Sequence, residues 1–213
     1  MGRIQIRLGM LAAIVSLTLI VSCESSRLSN IWWDRSFTSG PLTKIMVIAV
    51  KRNAIHRRIW EDGLADELSK HSLVVTPSYR TFPTDVPDTG QVSAALREGK
   101  FDAVLVVTKL PTQTLTSTEP GYTTRTPVYA YNAWRNSYSV SYDREYHSPT
   151  TDTSRVVRHQ IDLWSAIETG RLIWSGIGEV LDPSSVQDVK SEISQLIAPE
   201  LELHGIIPPV KKH

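Results

Sequence analysis

Apolar positions between residues 44 and 108 fall into three short blocks with two helical periods between them. The first block, KIMVIAV over Lys44–Val50, is nearly continuous, the pattern of a strand buried on both faces. Asn53 is placed to cap a helix running to about His71, in which Trp60, Leu64 and Leu68 recur four apart on the inner side, weakened a little by Gly63. Residues 73–76 read as a short second strand stopped by Pro77. After Pro83 and Pro87, Val92, Ala95 and Leu96 mark a second helix, with Gly99 closing it as the C′ residue. AVLVVT over residues 103–108 is a third buried strand. Strand–helix–strand–helix–strand predicts a parallel sheet with right-handed crossovers.

The pattern changes at residue 110. Residues 110–127 are rich in threonine, with a turn expected at Glu119-Pro120-Gly121. Residues 128–147 are polar and aromatic, carrying Tyr129, Tyr131, Trp134, Tyr138, Tyr142 and Tyr146; Tyr138, Val140 and Tyr142 alternate with polar neighbours, the period of a strand. Residues 155–167 and 171–181 read as two further strands joined by the tight Glu168-Thr169-Gly170 connection, a hairpin. A last helix starts at Ser184 or Ser185, with Asp188 placed for a capping contact and Val186, Val189, Ile193 and Leu196 as its stripe; Pro199 should end or kink it. The expected fold is thus α/β with an α+β mixed sheet: a β-α-β-α-β parallel core extended by antiparallel strands and a C-terminal helix.

The first residues carry a different signal. Arg3 and Arg7 precede an uncharged apolar run over residues 8–21, too short for the ~20 residues of a spanning helix and shaped like a secretory signal. Ile20-Val21-Ser22-Cys23 resembles the bacterial lipobox. The resemblance implies cleavage between Ser22 and Cys23, diacylglycerol on the Cys23 thiol, and a lipid-anchored mature protein. The plainer readings are an ordinary signal peptide with a passing cysteine, or an uncleaved anchor. Glu24, by the sorting rule of enteric lipoproteins, favours the periplasmic side of the outer membrane over the inner membrane. The chain then divides into a signal peptide (1–22), a lipidated tether (23–43), one periplasmic domain (44–207) and a tail (208–213). Trp32 and Trp33 interrupt the tether, placed either to sit at the membrane interface or to pack back onto the domain.

Removing residues 1–22, which hold two arginines and no acid, leaves 21 basic against 22 acidic residues. A domain of net charge −1 has no electrostatic footprint for nucleic acid. Cys23 is the one cysteine, so no intramolecular disulfide can form and a packed core must supply stability.

The lipobox, the early strand Lys44–Val50, the strand beginning Phe101-Asp102-Ala103 and the late hairpin resemble a group of bacterial envelope lipoproteins. The hairpin, Ile161-Asp162-Leu163-Trp164 followed by Thr169-Gly170-Arg171-Leu172-Ile173-Trp174-Ser175-Gly176, is also similar to the periplasmic domain of the curli-secretion lipoprotein and the amino-terminal domain of the Tol-system translocation protein. The resemblance spans roughly residues 44–207. It implies a non-enzymatic domain that binds envelope proteins or copies of itself, with no catalytic residues, metal or cofactor carried over. In the shared hairpin Gly170 permits the turn, Trp174 fills the core, and Gly176 and Gly178 allow close approach or a bulge.

Several other chemistries are excluded or left weak. No Gly-x-Ser-x-Gly elbow occurs, and the lipobox resemblance implies that the single thiol is taken by lipid. No glycine loop follows the first strand, whose end leads into Lys51-Arg52-Asn53; those cations can hold an anion at a helix N-terminus or be simply solvated. Asp143, Glu145 and His147 alternate on one strand face, a set that can ligate a divalent metal or respond to pH, or simply be a solvated face, and no fourth ligand is identified. The segment from Tyr129 to Tyr146 is the expected contact surface, unless its rings cover the core. A ligand-binding or hydrolytic groove beside residues 129–147 is the alternative from another class. Asn132, Arg135, Asn136 and Arg144 leave the segment without the continuous apolar face of a membrane strand, which argues against pore formation.

Overall fold

The structure, a computed structural model, describes residues 25–132, 137–167 and 170–210. The signal segment with Ser22, Cys23 and Glu24, the residues Trp134, Arg135, Glu168 and Thr169, and the tail residues 211–213 lie outside the described residues. Thirteen elements follow in order: β1 (Ser26–Trp33), β2 (Lys44–Val50), α1 (Ala54–Ser69), β3 (Val74–Pro77), a 3-10 turn (Ser78–Arg80), α2 (Thr89–Glu98), β4 (Ala103–Lys109), β5 (Gln113–Glu119), β6 (Tyr122–Asn132), β7 (Ser137–His147), β8 (Thr150–Ser165), β9 (Arg171–Leu181) and α3 (Val186–Leu203).

The main sheet runs β1-β9-β8-β4-β2-β3, with β2 parallel to both β3 and β4 and the rest antiparallel. The expected parallel core with an antiparallel extension is what forms. Its strands are buried because both faces are covered. On one side Ile45, Val47, Leu105, Leu163 and Trp174 meet Trp60, Leu64 and Leu68 of α1 and Ile193, Ile197 and Leu201 of α3. On the other, Met46, Ile48 and Val104 meet Leu96 of α2. The Asp102 carboxylate accepts from the amides of Thr43 and Lys44 at 2.7 and 2.9 Å, pinning the start of β2 beside β4.

Local signals account for most boundaries. The His56 amide donates to Asn53 at the start of α1, and the Asp188 amide to Ser185 at the start of α3. Asp88 and Gln91 form a full capping box on α2 that the sequence reading missed. Gly170 turns the β8–β9 hairpin with φ +75°.

Five expectations change. Gly99 is not the left-handed residue after α2: its φ is −79°, and Lys100 takes the positive φ of 51°. Gly99 is glycine because a Cβ there would meet the Phe101 ring. Pro77 lies inside β3, which it can do because β3 is an edge strand. Pro199 does not end α3, which continues to Leu203; burial of Ile197, Ala198 and Leu201 outweighs the lost backbone bond. The inner stripe of α3 is Val189, Ile193, Ile197 and Leu201, with Leu196 to one side and Val186 exposed. Finally, the segment read as a tether contributes β1, paired with β9 from Ser26↔Val180 to Trp33↔Trp174. There Trp33 packs on the core and stacks on His204 at 3.8 Å, while Trp32 stays exposed.

Candidate functional site

Two features stand out from the packed domain. The first is a ribbon. β5 pairs with the first part of β8 over seven positions and β6 with β7 over eleven. Glu119 faces Thr150 and Tyr122 faces His147, three residues further on each side, so the two ladders share one register. The turn expected at residues 119–121 is therefore absent. Pro120 and Pro149 interrupt the hydrogen bonds without redirecting the chain, as prolines lacking an N–H do. The result is one two-stranded arm of 20 residues per strand (113–132), roughly 65 Å at the usual rise.

Every side chain of β5 is exposed, as are residues 122–128 and 140–146. Strand alternation sorts the arm into two faces. One carries the positions of Arg125 and Arg144, Pro127 and Tyr142, Tyr129 and Val140, and Tyr131 and Tyr138. The other carries Tyr122 and His147, Thr124 and Glu145, Thr126 and Asp143, and Asn132 and Ser137. Of the expected contact residues, Tyr142 and Tyr146 are exposed on the arm rather than in the core, and Tyr129, Tyr131 and Tyr138 occupy its outer half. The trio Asp143, Glu145 and His147 does share a face, and His147 Nε2 lies 4.0 Å from Glu145, but His147 also stacks on Tyr122 at 4.6 Å and meets the Thr124 hydroxyl at 3.1 Å. Among the described residues no group of three His, Cys, Asp or Glu is placed to hold a metal ion.

The second feature is a cavity of about 370 Å³ where β2 and β4 end and α3 begins. Lys51 follows β2, Lys109 closes β4, and Arg155 and His159 project from β8. Trp60 of α1 and Val157 of β8 supply an apolar wall, and residues 183–186 bring in the start of α3. None of the lining residues is acidic. Lys51 Nζ lies 2.7 Å from His159 Nε2 and 4.7 Å from the centre of the Trp60 ring, on which His159 also packs at 4.3 Å. Burial first, then the Lys109 ammonium, lowers Lys51 from its ordinary 10.5 to about 8. Burial, then Lys51 and Lys109, lowers His159 from 6.5 to about 3. His159 is therefore neutral at physiological pH and accepts through Nε2 from the Lys51 ammonium, which leaves the hydrogen on Nδ1. That Nδ1 is buried and, among the described residues, has no hydrogen-bond partner. The sequence signal was thin: only Lys51 stood out, and the other three lie 58 or more residues further along.

A buried neutral histidine has a measurable consequence. Below pH 6.5 the unfolded chain binds a proton at residue 159 that the folded chain refuses until about pH 3, so stability is lost as pH falls through that window. Between pH 7 and 5 the loss from this residue is on the order of 2 kcal/mol. Urea titrations at pH 7, 6 and 5 should show a steeper decline for the native chain than for His159→Gln. Parallel declines would show that His159 is not held neutral.

The fold and these two features define a mixed α/β domain with an exposed β-arm and a cationic cavity at its strand ends. Among the described residues no helix is long and apolar enough to cross a membrane. No protein-family model matches the chain, and no curated protein matches it. Among solved structures it is similar to the PelC dodecamer from Paraburkholderia phytofirmans, at 13% identity and TM-score 0.43, covering 85% of this chain and 98% of that one. A lipoprotein, GNA1162 from Neisseria meningitidis, matches at 15% identity and TM-score 0.39 over 76% and 99% of the two chains. A PDZ domain protein from Parabacteroides distasonis matches at 13% and 0.41, over 90% of this chain and 39% of that longer one.

Proposed function

We propose that this chain is a lipid-anchored envelope domain that works by protein–protein contact rather than catalysis, with the β-arm as its contact element. The observation that carries this reading is the arm itself: 18 paired positions, with both faces solvated over residues 122–128 and 140–146. An isolated two-stranded ribbon is marginal in water, since it has little apolar surface to bury. Beyond the main sheet both edges of this ribbon are also unpaired among the described residues, which leaves rows of backbone donors and acceptors open to another strand. Arg125 and Arg144 face each other directly, a like-charge pair that is unfavourable until an acidic partner arrives. Exposed Tyr142, Tyr146 and Tyr122 add stiff contact area with polar ends. An acidic, strand-presenting envelope protein or a second copy of this chain fits those features. Anchoring through Cys23 on the periplasmic side of the outer membrane completes the reading, on the strength of the lipobox and Glu24.

The alternative, a ligand groove beside residues 129–147, gains no support from the cavity described above, which none of those residues lines. The test is a photo-crosslinking amino acid placed in whole cells at position 142, at position 126 on the opposite face, and at exposed Arg97 of α2 as control. The reading expects discrete protein adducts from 142 or 126 and none from 97. Absence of adducts from both arm positions, with normal amounts of folded protein, would overturn it.

A further inference from the structure

We infer that the cavity at the carboxyl ends of β2 and β4 binds a small phosphate-bearing anion. The inference is independent of the contact role of the arm. Lys51, Lys109 and Arg155 line one cavity. Lys51 meets His159, and Arg155 donates through Nη2 to the Pro183 carbonyl at 3.0 Å and through its amide to the Asp182 carboxylate. Among the described residues no side-chain cation of the three is paired with a carboxylate. The mature chain is close to neutral overall, so gathering three cations with no carboxylate on their charged ends at one place costs free energy that an anion would return. Burial first, and then repulsion from Lys109, pushes Lys51 toward its neutral form.

Position agrees with charge. In open α/β sheets, ligands settle beyond the carboxyl ends of the parallel strands, and these are the ends of β2 and β4. The 18-residue helix α3 starts at the cavity wall, where its dipole favours negative charge; Ser185 takes the Asp188 amide, and Asp188 in the first turn lies outside the cavity lining. A second, independent sign is His159. It lines the cavity, is 3% exposed, and has a buried Nδ1 with no partner. Buried polar atoms without partners are uncommon, and the ring that carries this one meets Lys51 through its other nitrogen.

The shape selects the class. Three cations and a helix start suit the two charges and three oxygens of a phosphomonoester better than a single carboxylate. A cavity of about 370 Å³ holds more than the phosphate group, and Trp60 and Val157 give the remaining organic part an apolar wall. That chemistry occurs both in soluble phosphomonoesters and in phospholipid headgroups.

Calorimetry on the full-length protein in non-ionic detergent, with inorganic phosphate and glycerol 3-phosphate as probes, separates these sources when paired with sedimentation of phosphatidylglycerol vesicles. The single variants Lys51→Gln and Lys109→Gln are compared with Lys100→Gln, which lies outside the cavity. Binding of either soluble probe, weakened tenfold or more by both cavity variants and unchanged by Lys100→Gln, supports the site with a soluble ligand. Vesicle binding with the same variant pattern, and none of the soluble probes, supports it with a headgroup. Affinity should also fall as pH rises through 8, where Lys51, flanked by Lys109, His159, Arg155 and His56, loses its proton. No binding of any probe at millimolar concentration, or equal loss in all three variants, overturns the inference.

Discussion

Replacing Glu61 with alanine should lower the free energy of unfolding by about 3–5 kcal/mol, among the largest effects of any single change in this chain. Glu61 is fully buried in the middle of α1. Its carboxylate accepts from the Ala49 amide at 3.1 Å, the Arg57 guanidinium at 2.9 Å, the Ser78 hydroxyl at 2.7 Å and the Tyr79 amide at 2.8 Å. Arg57, itself 3% exposed, donates onward to the carbonyls of Phe82 and Asp85 and to Ser78. One carboxylate thus joins the end of β2, the helix and the segment from residue 78 to 85. Alanine leaves a buried guanidinium without its counter-charge and two backbone amides without acceptors, each a desolvation cost with nothing to offset it. Glu61→Gln keeps the shape and an acceptor oxygen and should cost clearly less. The double change Arg57→Met with Glu61→Leu should recover only part of the loss, because the Phe82 and Asp85 carbonyls and the Ala49 and Tyr79 amides remain. Urea denaturation followed by tryptophan fluorescence measures all three. A Glu61→Ala loss below about 1 kcal/mol would mean that water or rearrangement satisfies the network.

That network shows where sequence patterns stop informing. Lys44–Val50, residues 103–108 and the Trp60, Leu64, Leu68 stripe were legible because a block or period of apolar residues reports its own burial. Arg57 and Glu61 sit on the same inner face as that stripe, an i,i+4 pair a pattern reading assigns to solvent. Their partners come from Ser78 to Asp85, which no helical period connects to them. β1 was hidden by its serines, since only Leu28, Ile31 and Trp33 touch the core. β5 was hidden more completely: its Thr- and Ser-rich sequence has no buried position, and it is a strand because residues 150–156 pair with it. The aromatic alternation of β7 was visible locally, but the single register uniting β5, β6, β7 and β8 into one arm was not. The cavity required four residues spread over 109 positions to meet, and only the folded topology brings Lys51 beside His159.

Trp174 yields the other large effect: Trp174→Ala should cost about 3–5 kcal/mol. The indole is fully buried in β9, paired with Leu163 on one side and Trp33 on the other. It has room because residue 176, two along on the same face, is glycine: a Cβ there would lie 2.7 Å from the indole Cη2. One step further, Gly178 leaves the space that Ile193 of α3 enters, with its Cδ1 3.0 Å from where a Cβ would stand. The face of β9 thus reads Trp, Gly, Gly, one large ring followed by a smooth track for a helix. The indole Nε1 is buried without a partner among the described residues, so Trp174→Phe loses volume but also removes an unsatisfied donor. It should therefore cost well under half of what alanine costs. Gly176→Ala in the native chain should cost about 1–3 kcal/mol through overpacking. In a Trp174→Ala background that cost should largely vanish, because the added methyl enters the space the indole has left, and the two changes are strongly non-additive. Additive losses would mean that Gly176 serves the backbone of β9 rather than the ring, and the close approach would not be the reason glycine stands there.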